Sequence, residues 1–180
     1  MDETRHTGTG ERGFTLVEAM VTLAVLAVVA ASAAPGLARM LETRRLNAAA
    51  HALATDLQLA RTDAVARNRV LRLGIQARGP DTCWVLHTGA AGACTCTGAA
   101  TVCATGEVEI RSERYAAADR LRVEGNVASI AFDPLHGTST PAGTLRLVAS
   151  DGRRVQHVVN AMGRVRTCAP GGLVPGHRPC

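Results

Sequence analysis

One carboxylate stands at the edge of a long apolar segment, where its charge needs a partner. Glu18 directly precedes the uncharged run 19–38. As an α-helix, at about 1.5 Å per residue, that run matches a hydrocarbon core of roughly 30 Å. Burying Glu18 there costs on the order of 1–3 kcal/mol unless a cation offsets the charge. Cleavage after Gly13 would supply such a cation, the α-amine of Phe14 in a neighbouring copy.

Basic side chains are concentrated near the C-terminus, where they could bind a polyanion. Arg164 and Arg166 alternate around Val165, so on a strand both point to one face. Arg153 and Arg154 lie at the far side of the preceding turn. Guanidinium groups fit phosphate oxygens, and clusters of them bind nucleic acid by releasing counterions. The alternative is a solvated sheet face, but the clustering of the charge favours DNA.

The six cysteines predict disulfides and no metal site. An even number of cysteines in a small domain is typical of an oxidising compartment. Cys94 and Cys96 are separated by one residue, whereas structural zinc sites favour two or more. Cys168 and Cys180 are expected to pair and close the tail. The connectivity of the remaining four stays open: Cys83, Cys94, Cys96 and Cys103.

No arrangement of residues indicates an enzyme. The serines lack the Gly-x-Ser-x-Gly elbow of a hydrolase, the six histidines are scattered, and nothing resembles a phosphate loop. Two phenylalanines, one tyrosine and one tryptophan are too few for a surface that stacks single-stranded bases. We therefore expect neither catalytic residues nor a cofactor.

The hydrophobic pattern predicts one long helix, from Phe14 to about Ala66. Behind Pro35, apolar residues recur at spacings of three and four, as on one face of an amphipathic helix. Asn68 is a suitable C-terminal cap for this helix. The predicted buried face consists of Leu46, Ala50, Leu53, Leu57, Ala60 and Ala64.

From Val70 onward the period changes to two, which predicts a sheet domain with hairpins around the turns 78–81 and 150–152. One helix followed by antiparallel strands is an α+β architecture. The last strand is expected to continue past Gly163 through 164–166. The predicted strands are 70–73, 83–86, 108–111, 121–123, 129–132, 145–148 and 155–159.

The N-terminal motif resembles a known processing signal. Gly13-Phe14-Thr15-Leu16-Val17-Glu18, between a short polar leader and the apolar run, looks like the class III signal of type IV pilins and type II secretion pseudopilins. The resemblance implies that a membrane peptidase cuts between Gly13 and Phe14 and methylates the new N-terminus. It also implies that Glu18 sets the register of subunits in a filament and that Pro35 kinks the helix. The implied pilin-like fold packs this helix on an antiparallel sheet domain.

The sheet domain is similar to the GspH/FimT branch of that family. The similarity lies in Phe132-Asp133-Pro134, Gly137, the closing Gly163-Arg164-Val165-Arg166 and Cys168. Some members of the branch are thought to bind DNA during natural transformation through an arginine pair after this glycine. In this chain that pair would be Arg164 and Arg166.

The sequence divides into five expected segments. They are a leader 1–13, a transmembrane assembly helix 14–38, its amphipathic half 39–68, a β-rich domain 69–168 and a disulfide-closed tail 169–180. Before assembly the chain is expected in the inner membrane with its domain in the periplasm. Counting arginines on both sides of the span would place the domain inside, but the cysteines favour the outside.

Three functions are compatible with these segments, in order of preference. The first is a minor pilin of a type IV pilus, with the prepilin peptidase, other pilins and double-stranded DNA taken up during competence as partners. The second is a pseudopilin of a type II secretion system, whose sheet contacts other pseudopilins. The third is a soluble exported binding domain, cut by a signal peptidase after Ala33 in the small-x-small site 31–33. The length of the apolar run and the acid inside it disfavour the third.

Overall fold

The computed structural model describes residues 13–96 and 100–180, so the predicted leader up to residue 12 lies outside the described residues. The chain begins with helix α1, Leu16–Ala66, and divides into two units at Leu41. The strands are β1 Leu71–Arg78, β2 Asp81–Thr88, β3 Cys94–Thr95, β4 Val102–Cys103, β5 Glu109–Tyr115, β6 Leu121–Gly125, β7 Ser129–Phe132, β8 Ser139–Thr140, β9 Gly143–Ala149, β10 Arg154–Val159 and β11 Val165–Cys168.

The part of α1 before Leu41 is apolar and exposed. An 18-residue window of the helix has a mean hydropathy of 2.2, and none of it is buried. By length and composition this helix can cross a membrane. Pro35 lies inside α1, where its ring removes one N–H from the backbone hydrogen-bond ladder.

The part of α1 after Leu41 packs its apolar stripe into the core of the second unit. Every residue of the predicted buried face is buried, and Ala49 and Asp56 are buried with them. The helix ends at Ala66 as expected, and the expected cap Asn68 adopts a left-handed conformation with φ 50°. The next amide, that of Arg69, donates to the Ala64 carbonyl at 3.0 Å, which satisfies a carbonyl of the last turn.

Two larger antiparallel sheets and a two-stranded one, β3-β4, follow the helix in the described part of the chain. The first has the strand order β5-β2-β1-β7-β8, and the second has the order β11-β10-β9-β6. Both predicted hairpins are present, because β1 pairs with β2 and β9 pairs with β10. The inner faces of the two sheets share one core with α1, in which the largest fully buried side chains are Trp84 and Phe132.

The predicted continuation of the last strand through 164–166 is wrong. β10 ends at Val159, the chain reverses, and β11 then runs antiparallel to β10. Gly163 makes this reversal with φ 71°, and its N–H donates to the Asn160 carbonyl at 2.8 Å. Glycine adopts a positive φ at little cost, so Gly163 lets the chain reverse where the strand was expected to continue.

A buried carboxylate joins α1 to the first sheet. Asp56 is 2% exposed and accepts a hydrogen bond from Trp84 Nε1 at 2.8 Å. Its other oxygen lies 3.2 Å from Arg111 Nη1 on β5. The Trp84 ring also contacts Tyr115, with 5.4 Å between ring centroids. Both oxygens of Asp56 are thus partnered, as burial of a charge requires.

Candidate functional site

The predicted processing and assembly residues lie at the start of α1. Gly13 and Phe14 precede the helix and are exposed. Thr15 caps the first turn, because its Oγ1 accepts the Glu18 N–H at 3.2 Å and its carbonyl accepts the Ala19 N–H at 3.1 Å. Glu18 is exposed in that first turn, where the helix dipole favours a negative charge.

The predicted arginine pair follows a turn at Gly163 that packs tightly against the loop after β7 and against Arg61 of α1. Arg61 of α1 donates from Nε to the Gly137 carbonyl at 3.0 Å, in the loop after β7. A Cβ on Gly163 would lie 2.2 Å from that same carbonyl oxygen. The side chain of Asn160 accepts the Arg164 N–H at 2.9 Å and closes the turn. Arg164 therefore starts from a rigid backbone position.

Arg164 and Arg166 are both exposed, one just before β11 and one within it. In the register Arg166 lies opposite Val158 of β10, and Arg154, also exposed, is on the same face as Val158. Among the described residues, no carboxylate lies within 4 Å of Arg154, Arg164 or Arg166. Arg154, Arg164 and Arg166, three of the four predicted DNA-binding arginines, are thus exposed to solvent and have no acidic partner among the described residues.

Arg153, the fourth, is paired inside the protein. Its side chain is 19% exposed, its Nε lies 2.6 Å from Asp151 Oδ2, and its Nη2 lies 3.8 Å from Glu42 Oε2. It also donates to Thr43 Oγ1 of α1. Partial burial would raise the pKa of Asp151, but the hydrogen bonds and charge of Arg153 outweigh it and hold that pKa below its usual value. Arg153 fixes the β9–β10 turn to α1 and is not available to a ligand.

All six cysteines form disulfides, and the expected bond between Cys168 and Cys180 is present. Two further bonds close the loop before β5, Cys83–Cys96 and Cys94–Cys103. Gln76 of β1 holds this loop by donating to the Cys94 carbonyl at 2.7 Å and accepting the Cys96 N–H at 3.0 Å. Within the described residues, no group of three or more His, Cys, Asp or Glu side chains could hold a metal ion.

The tail contacts α1 through histidines. His177 Nε2 lies 3.1 Å from Asn47 Oδ1, and its ring centroid lies 6.0 Å from that of His51.

His157 of β10 is fully buried, with Nδ1 2.9 Å from Thr167 Oγ1. Burial, together with the nearby His177 and His51, lowers the pKa of His157 to about 4. At neutral pH His157 is therefore an uncharged residue of the core.

A helix whose first part is apolar and whose second part packs on antiparallel sheets defines a pilin-like subunit. The family model described as "Type II transport protein GspH" matches residues 49–163, more than half of the chain. The model described as "Prokaryotic N-terminal methylation motif" matches residues 9–34. The chain belongs to the GspH family, and both the predicted family and the predicted α+β fold are confirmed.

Two solved structures are similar to this one. The type IV minor pilin FimU of Pseudomonas aeruginosa matches with a TM-score of 0.52 and 20% identity, over 73% of this chain and 97% of that chain. The minor pseudopilin EpsH from the Type 2 Secretion System of Vibrio cholerae matches with a TM-score of 0.48 and 12% identity, over 71% and 98%. No curated protein matches the sequence.

Membership in this family indicates the general function of the chain. The chain is a pilin-like subunit of the family described as a type II transport protein, and its fold is similar to that of a type IV minor pilin. The methylation motif implies processing by a prepilin peptidase and assembly with other pilins. The apolar part of α1 anchors the chain in a membrane and leaves the sheet domain exposed.

Proposed function

We propose that this chain is a minor pilin of a type IV pilus that binds double-stranded DNA through Arg164 and Arg166. The observation that carries the proposal is the tight turn at Gly163, which presents both exposed arginines with no carboxylate of the described residues within 4 Å. Before assembly the subunit lies in the inner membrane with its sheet domain in the periplasm. Glu18 then pairs with the N-terminal amine of a neighbouring subunit.

The mature protein is expected to begin at Phe14 and to carry one methyl group. Phe14 is exposed and precedes the first turn of α1, where a membrane peptidase can reach the Gly13–Phe14 bond. The intact mass of the protein extracted from membranes measures this directly. The control is Ala33→Leu, which removes the small residue that a signal peptidase needs. Its mass should change only by the substitution, and a mature N-terminus at Ala34 in the unmodified chain would show a soluble exported domain.

The variant Arg164→Gln/Arg166→Gln is expected to bind duplex DNA more weakly and with a smaller dependence on salt. Each phosphate neutralised contributes about −0.9 to the slope of log affinity against log salt, so the slope should become shallower by roughly 2. Because phosphate contacts carry no sequence information, two duplexes of unrelated sequence should behave alike. Fluorescence anisotropy of a labelled duplex with the full-length protein in neutral detergent, over a salt series, measures both quantities.

The matched control for this experiment is Arg44→Gln/Arg78→Gln. It removes the same charge from two exposed arginines outside the C-terminal sheet, and it should leave the slope nearly unchanged. Equal DNA affinity of the Arg164→Gln/Arg166→Gln variant and the unmodified protein would refute the proposed site. In that case the arginines form a solvated face.

The second candidate function is a pseudopilin of a type II secretion system. The family model that matches residues 49–163 is described as a type II transport protein, which favours this candidate. In such a subunit the sheet domain contacts other pseudopilins and has no need of DNA. Absence of DNA binding by the unmodified protein at low salt would make it the better assignment.

A further inference from the structure

The outer face of the second sheet carries arginines from all four of its strands. In the register Arg122 of β6 and Arg154 of β10 lie on either side of Val148 of β9. Arg146 of β9 lies in the next row of the ladder, and Arg166 of β11 lies in the row after that. Cross-strand partners point to the same side of a sheet, so these four side chains share one surface. We call this surface, formed by Arg122, Arg146, Arg154 and Arg166, the basic face.

The burial pattern shows that the basic face points to solvent. The residues that alternate with these arginines, among them Leu145, Leu147 and Val155, are fully buried against α1. Three of the four arginines are exposed, and Arg146 is half-buried. The side chains therefore lie on the side of the sheet opposite the core.

Little negative charge opposes the basic face. Glu124 is the acid that shares it, and its Oε1 lies 2.5 Å from Arg122 Nε. Arg146 donates to the neutral amide oxygen of Gln156 at 3.4 Å. Among the described residues no carboxylate lies within 4 Å of Arg146 or Arg154. Three of the four positive charges thus have no acidic partner.

The first sheet differs, because its outer face is covered. Cys83 and Val85 of β2 are buried on that side by Cys94 and Cys96 of the disulfide-closed loop. Arg114, on the same side, donates to the Cys96 carbonyl at 3.0 Å and is occupied by the loop. On the second sheet Arg122, Arg154 and Arg166 are exposed in the described part of the chain, so a large ligand can reach these three side chains.

We propose that the basic face extends the DNA site beyond Arg164 and Arg166 into a track across the second sheet. This inference rests on the proposed DNA binding. With strands about 4.8 Å apart and alternate residues about 6.8 Å apart, Arg154 lies roughly 14 Å from Arg166 and Arg122 roughly 20 Å from it. Each strand of B-DNA carries one phosphate per 3.4 Å of helix axis, so a track of about 20 Å parallel to that axis spans about six nucleotide steps. Such a track contacts phosphates and reads no bases.

The test is a second variant, Arg146→Gln/Arg154→Gln, measured beside Arg164→Gln/Arg166→Gln on the full-length protein in neutral detergent. Each lost phosphate contact lowers affinity about eightfold at 0.1 M salt, so the new variant should bind about 60-fold more weakly. Its salt slope should be shallower by about 1.8. If one track includes both pairs, the fourfold variant should lose about twice as much slope as either double variant.

The outcomes separate this inference from the proposed function. The Arg44→Gln/Arg78→Gln variant controls for net charge, and unchanged thermal unfolding midpoints show that each variant folds. If Arg146→Gln/Arg154→Gln binds like that control while Arg164→Gln/Arg166→Gln loses affinity, the track is refuted and the proposed site stands. If Arg164→Gln/Arg166→Gln binds like that control while Arg146→Gln/Arg154→Gln loses affinity, the proposed site is refuted, and so is a track that includes Arg166. A protein that binds no duplex at low salt refutes both.

Discussion

Alanine in place of Asp56 is expected to lower the free energy of unfolding by about 2–4 kcal/mol. The substitution leaves the Trp84 N–H buried without an acceptor, and it removes the carboxylate that faces Arg111. Trp84 is the one tryptophan of the chain and is fully buried, so its fluorescence reports unfolding of the core. Urea titration of the full-length protein in neutral detergent gives the free energy.

Two further variants separate the contributions at this site. Asp56→Asn keeps an oxygen that can accept from Trp84 but loses the charge beside Arg111, so its loss should fall below that of Asp56→Ala. Asp63→Ala removes a carboxylate from the same helix whose partner, Arg67, is exposed, and should cost less than about 1 kcal/mol. If Asp56→Ala were no more costly than Asp63→Ala, the buried carboxylate would have no role in holding α1 to the sheet.

Alanine in place of Gly163 is expected to cost about 3 kcal/mol or more. The new Cβ would lie 2.2 Å from the Gly137 carbonyl oxygen and 3.1 Å from Arg61 Nε, and φ is 71°. The nearest atom belongs to backbone, so it cannot rotate aside, and its shift would break the hydrogen bond from Arg61. The same urea titration measures the loss. The DNA affinity should fall as well, although no charge is removed.

Gly152→Ala is the matched control for the clash at Gly163. Gly152 has a similar φ of 86°, but a Cβ there meets nothing within 4 Å. It should pay only the conformational cost of a left-handed residue, about 1–2 kcal/mol. The difference between the two variants isolates the contact between the two loops. Equal losses would mean that the contact contributes nothing.

Local patterns predicted much of the fold because neighbouring residues encode it. The spacing of Leu46, Leu53 and Leu57 gives the buried face of α1, and the turns around Gly79 and Gly152 give the two hairpins. The expected bond between Cys168 and Cys180 joins residues only 12 apart in sequence. Each of these features depends on residues that are close in sequence, where periodicity and turn propensity act.

Features that depend on distant residues were missed. Arg122 and Arg154 lie in the same row of the second sheet because both strands pair with β9 at Val148. The local sequence around either arginine does not contain this register. Arg153 looked like its neighbour Arg154, but residues of α1 and the turn neutralise it. Alternation places adjacent residues on opposite faces, so one arginine of that pair meets the helix side and the other meets solvent.

The exposed apolar part of α1 has a consequence for how a subunit changes its surroundings. Its large side chains include Leu16, Val17, Met20, Val21, Leu23, Val25, Leu26, Val28, Val29 and Leu37, all about half exposed or more. Moving each from hydrocarbon to water costs about 1.5–3 kcal/mol, so a detached subunit in water lies tens of kcal/mol uphill. Recruitment into a filament must therefore be a lateral exchange in which helices of other subunits replace lipid tails one contact at a time.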